Sequence, residues 1–118
     1  MYDWLATQNS WTERGDYISL WYVNSIGHEI AMTPDGNTIV TATDHSVVIF
    51  DWVNNAWTVR GRGGDEVVRI DGDGLLSHSH ILVDVSHDGK KVVVGLPDDE
   101  DGYFKGKNIG QVQTYVWQ

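Results

Sequence analysis

The sequence has no cysteine and only 8 basic residues against 17 acidic ones, and alanine and leucine contribute just 4 and 6 of its 118 residues. Without cysteine there is no disulfide framework, no thiol nucleophile and no cysteine-ligated zinc. That absence leaves the compartment open. The net charge of −9 repels phosphate backbones, which argues against a nucleic-acid partner. No apolar run approaches the roughly 18 residues of a membrane-crossing helix, so no transmembrane segment is expected. The first 20 residues carry Asp3, Glu13 and Asp16 and have no apolar stretch of the signal-peptide kind. Scarce alanine and leucine disfavour helices.

What is present points the other way. Valine, isoleucine and threonine supply 31 residues, and β-branched side chains suit pleated, half-buried strands. The composition predicts an all-β chain. With 41% apolar residues and six tryptophans it can fill a core, and at this length it forms one domain or part of a larger one. Strands are expected near 1–5, 10–14, 28–33, 38–43, 46–52, 56–60, 66–70, 80–86, 91–96 and 111–117. Residues 61–65 and 71–80 read as Gly/Asp/Ser-rich connectors, and 97–110 as the one long loop.

The chain repeats itself. Residues 30–42 (Ile-Ala-Met-Thr-Pro-Asp-Gly-Asn-Thr-Ile-Val-Thr-Ala) align with 83–95 (Val-Asp-Val-Ser-His-Asp-Gly-Lys-Lys-Val-Val-Val-Gly) at an offset of 53. Each copy is a β run, an Asp-Gly turn and a second β run, a strong hairpin signal because glycine takes positive φ without steric cost. Tyr2-Asp3-Trp4, Phe50-Asp51-Trp52 and Tyr115-Val116-Trp117 form a second family of segments. The first two are followed by Trp11-Thr12-Glu13-Arg14-Gly15 and Trp57-Thr58-Val59-Arg60-Gly61 at an offset of 46. The chain thus divides into end-of-unit strands (1–16), a first repeat (17–64) and a second repeat (65–118).

Tandem four-stranded units of about 40–60 residues are the signature of β-propeller blades. In its order of motifs the chain resembles the FG-GAP repeat of integrin-alpha-like propellers. The second unit supplies Trp57, Gly61, Ile70, Asp88-Gly89, Val92-Val93-Val94-Gly95-Leu96-Pro97, the acidic run 98–102, then Gly110, Val112 and Tyr115. The first supplies Trp11, Gly15, Ile18, Gly27, Asp35-Gly36 and Phe50, with Thr43-Asp44 in place of the Gly-x-Pro segment. Gly27-His28 leading to Phe50-Asp51-Trp52 also looks like a WD-type repeat, although Trp-Thr-x-Arg-Gly has no place in that pattern. The resemblance implies a propeller module of about two four-stranded antiparallel blades, used for adhesion, protein binding or structure rather than catalysis, and extracellular or surface-associated.

Several side chains are candidates for a site. In integrin-like propellers an Asp-x-Asp-x-Asp-Gly loop holds calcium, which wants six to eight oxygen ligands. Here Asp98, Asp99 and Asp101 precede Gly102, with Pro97 at the first ligand position. The simpler reading of the run is a solvated acidic turn. Asp71-Gly72-Asp73-Gly74 is a second fragment of the same pattern. His78 and His80 would share a strand face and, with Asp84 or His87, approach a metal-ligand set. Trp21, Tyr22, Tyr103 and Phe104 are the aromatics open to a protein or glycan ligand, and carbohydrate binding by an oligomeric, lectin-like propeller is an alternative function. A calcium-stabilised structural, filament or shell protein is another. Arg14-Gly15-Asp16 spells a cell-attachment tripeptide, but Arg60-Gly61 recurs at the equivalent place, so Arg-Gly reads as part of the turn framework. No nucleophile elbow, phosphate loop or His-Glu-x-x-His motif is present, and the chain is not expected to be an enzyme.

A closed propeller takes four to eight blades. Two blades leave open sheet edges, which pair readily with another chain. The expectation is therefore self-association or further repeats, with the 97–110 loop as the decorated element.

Overall fold

The computed structural model describes residues 1–18, 26–27, 29–43, 46–60, 81–96 and 111–117. Among them are nine strands and no helix. They are β1 (Tyr2–Leu5), β2 (Ser10–Glu13), β3 (Glu29–Met32), β4 (Thr38–Ala42), β5 (Val47–Val53), β6 (Ala56–Val59), β7 (Leu82–Val85), β8 (Lys91–Leu96) and β9 (Gln111–Val116). They form three antiparallel sheets in sequence order: β1-β2, β3-β4-β5-β6 and β7-β8-β9. The all-β expectation holds. The expected strand at 66–70 lies outside the described residues.

The repeat in sequence is a repeat in register. Ile30 faces Thr41 and Met32 faces Ile39, just as Val83 faces Val94 and Val85 faces Val92. Ile39 then faces Phe50 as Val92 faces Tyr115. Both Asp-Gly turns close in the same way. The Thr33 amide donates to Thr38 O (3.0 Å), and the Ser86 amide donates to Lys91 O (2.9 Å). Inside each turn the Asp carboxylate accepts a hydroxyl and an amide: Thr33 Oγ1 (2.6 Å) and Asn37 N (2.9 Å) for Asp35, Ser86 Oγ (2.7 Å) and Lys90 N (3.0 Å) for Asp88. Gly36 and Gly89 take φ of +73° and +74°, a region costly to a residue with a Cβ. These turns are longer than the two-residue hairpin loop. That loop lies between β5 and β6, where Asn54 and Asn55 both have positive φ, as a mirror-image turn requires.

Strand alternation gives the four-stranded sheet two apolar faces. Val40, Ala42, Val47 and Ile49 on one face meet Val83, Val92, Val94 and Leu96 of the third sheet, and Ile81 just before it, in the main core. Val48 and Phe50 point the other way and are covered by Ile18, Ile26, Trp57 and Val59. Each fully buried valine, leucine or isoleucine is worth about 1.5–3 kcal/mol of transfer free energy, so sheet-on-sheet packing is the main stabilising term. The three sheets follow one another along a body of 58 × 30 × 27 Å.

Candidate functional site

The described residue that does the most work between sheets is an arginine that occurs twice. Arg14 follows β2, and Arg60 follows β6. Arg14 donates from Nε and Nη2 to the two oxygens of Asp3 (2.9 and 2.6 Å), a bidentate pair across the β1-β2 ladder. Its Nη1 then donates to Gly36 O in the turn of the next sheet (3.0 Å), and its guanidinium lies 5.6 Å from the ring of Trp52. Arg60 repeats these contacts one unit later. It donates to both oxygens of Asp51 (2.7 and 2.7 Å), to Gly89 O in the following turn, and stacks 5.5 Å from Trp117.

This arrangement follows from local sequence. The Tyr/Phe-Asp-Trp segment puts its Asp and Trp on opposite faces of one strand. The Asp holds the arginine of the neighbouring strand, while the Trp packs against the tryptophan of that strand. The ring pairs are Trp4–Trp11 at 5.2 Å and Trp52–Trp57 at 5.1 Å, both edge to face. The turn glycine exposes its carbonyl to the incoming guanidinium. A planar fork of five donors suits three acceptors and an aromatic face together, which a lysine could not serve.

The electrostatics agree. Asp3 lies below the ordinary carboxylate range because Arg14 hydrogen-bonds its charged form. At Asp51 burial opposes ionisation, but the hydrogen bonds from Arg60 and Thr38 outweigh it and the carboxyl again lies low. The second pair is the drier one, with Arg60 and Asp51 side chains 11% and 27% exposed against 22% and 39% for Arg14 and Asp3.

Arg14-Gly15-Asp16 is accounted for by the same joint. Its arginine is engaged on three sides, and Gly15 is pressed against Trp52 at φ +68°. Trp57 completes the contact by donating from Nε1 to Arg14 O (3.2 Å). Compared with family models, with curated proteins and with solved structures, the chain matches none. Its chemistry is legible only in its own residues.

The residues singled out from sequence fall mostly elsewhere. Asp98, Asp99, Asp101, Tyr103, Phe104, Trp21 and Tyr22 lie outside the described residues, as do Asp71, Asp73, His78 and His80. Asp84 and His87 are described. Among the described residues no cluster of three His, Asp or Glu is placed to hold a metal. Among them, too, no helix is long and apolar enough to cross a membrane. What sequence reasoning missed is the pairing of the two repeated motifs. Asp3 and Asp51 recur at an offset of 48 and Arg14 and Arg60 at 46, so a repeated charge pair across each hairpin was available as a signal.

Proposed function

We propose that the chain is a non-enzymatic, β-propeller-type repeat module whose role is binding through self-assembly, with two to four copies or further repeats closing a ring of blades. The four-stranded antiparallel sheet β3–β6 has the strand order of one blade, and β7–β9 that of a blade with three strands present. The observation that carries the reading is the twice-built arginine joint. A contact that each unit makes identically to the next is a rule for adding units, and it has no counterpart in a one-off catalytic pocket. The resemblance to FG-GAP repeats points the same way, toward an extracellular or surface setting.

A specific observation favours assembly over a sugar-stacking role for the exposed aromatics. Trp11 is 66% exposed, whereas its repeat-equivalent Trp57 is half-buried beneath the joint made by the preceding unit. The exposed ring thus stands where a further unit would lie. Light scattering over a concentration series tests the proposal, with negative-stain imaging of the heaviest species. An integral multiple of the chain mass and ring-shaped particles are expected. A strict monomer at every concentration would overturn self-assembly, and glycan-array binding with loss of Trp11 exposure would redirect the reading to a lectin.

A further inference from the structure

β9 stands where β5 stands in its own sheet. Lys91 faces Val116 as Thr38 faces Asp51. The Trp117 amide donates to Lys90 O (2.7 Å) as the Trp52 amide donates to Asn37 O (2.8 Å). Yet β5 carries β6 on its outer side, while among the described residues β9 pairs only with β8. Among the described residues no strand covers its outer edge, which can template another strand. Trp117 is 45% exposed, and Arg60 covers one of its faces. Trp4 and Trp52 each have an edge-to-face tryptophan from the next strand, and Trp117 has none among the described residues.

β2 is the strand built for that place. Among the described residues its only partner is β1, and a lone two-stranded hairpin is marginal in water. The β1 segment Tyr2-Asp3-Trp4 and the β9 segment Tyr115-Val116-Trp117 present the same aromatic pattern, so either can pair with β2 in one register. The exposed face of Trp11 matches as well. Trp57 Nε1 is satisfied by the carbonyl of Arg14, one unit back. For a β2 lying beside β9, the carbonyl one unit back is that of Arg60.

We propose that β9 receives β2 of a second copy of this chain, with Tyr115 opposite Glu13, Val116 opposite Thr12 and Trp117 opposite Trp11. The inference rests on the assembly reading above and names its interface. The donor is a second copy because the chain's own β2 is held at the far end. Arg14 and Gly15 seat β1-β2 by Trp52, on the Val48–Phe50 side of the central sheet, and the β7–β9 sheet packs on the opposite side. β9 takes the edge of β2 that β1 occupies, so the two strands exchange. Val116 replaces Asp3 in this exchange, and the incoming Arg14 loses its carboxylate. The exchange is accordingly weak and concentration-dependent in the native sequence.

Two experiments on the full chain test this. Val116→Asp restores the missing carboxylate on an exposed edge. It should tighten self-association about tenfold, read by sedimentation equilibrium as a lowered Kd; an unchanged or raised Kd overturns the proposal. The double variant Thr12→Cys with Val116→Cys puts two thiols opposite one another in a sequence that has no other cysteine. Mild oxidation should link them between molecules, giving a covalent dimer on a non-reducing gel and the 12–116 cross-linked peptide by mass spectrometry. A link within one molecule overturns the second-copy donor, and no link overturns the edge. If light scattering shows oligomers while the thiols stay unlinked, the assembly reading survives and this interface does not.

Discussion

At the residue scale the two arginines tie each unit to the turn of the next, beside the apolar packing between sheets. Arg60→Ala should lower stability by about 1.5–3 kcal/mol, the usual worth of hydrogen bonds to charged groups, seen as a lower urea midpoint. Arg14→Ala should cost less, since its pair with Asp3 is more exposed. Arg60→Lys should recover little, because an ammonium cannot span Asp51, Gly89 O and the Trp117 ring at once. The pH dependence follows from Asp3, Asp35, Asp51 and Asp88, all depressed in the folded chain. A depressed carboxyl contributes stability that is complete above its unfolded pKa of about 3.9 and is lost as pH falls through the lower folded value. Urea midpoints should therefore fall on acidification below pH 4, and Asp51→Asn should flatten part of that fall. A variant that keeps the full acid sensitivity would remove Asp51 as a source.

At the scale of elements, Gly15 and Leu96 give the sharpest tests. A Cβ on Gly15 would stand 2.8 Å from Trp52 Cζ3 at φ +68°, so Gly15→Ala should destabilise by about 1–3 kcal/mol. Gly27 also has positive φ, but a Cβ there would meet open space, and Gly27→Ala should cost less in the same melt. Leu96 is almost fully buried between sheets, so Leu96→Ala should cost about 2–5 kcal/mol in thermal or urea unfolding. Strands were legible because period-two alternation and turn residues are local signals. Each described strand lies within two residues of its expected place, Val47–Val53 and Leu82–Val85 among them. Turn length was less legible, since Thr33 and Ser86 hydroxyls bonded to Asp35 and Asp88 enlarge the Asp-Gly loops. The arginine joint was not read at all. It joins residues 22 and 29 positions apart, and only the stacking of sheets brings Arg14 to Gly36 or Arg60 to Gly89. The calcium and ligand residues proposed from sequence, Asp98 to Phe104 and Trp21-Tyr22, lie outside the described residues.

At the scale of the whole molecule, charge and shape oppose each other. Apolar side chains on edge strands, such as Ile30 and Met32 on β3 and Val112 and Val116 on β9, remain exposed and favour association. The net charge of −9 resists it. Raising salt from about 10 mM to about 150 mM shortens the screening length from about 30 Å to about 8 Å. Self-association should strengthen over that range, measured by sedimentation velocity, and weakening instead would mean that ion pairs dominate the interface. The arginine joint has one more consequence. Each unit carries the cation for its successor, and each successor carries the carbonyl and the ring that receive it. Duplicating or deleting the first unit in the gene, which carries Gly36, Asp51, Trp52 and Arg60 together, would leave every remaining joint chemically complete. The module is thus preadapted to change in copy number, and lengthening it is a single recombination event that needs no compensating mutation.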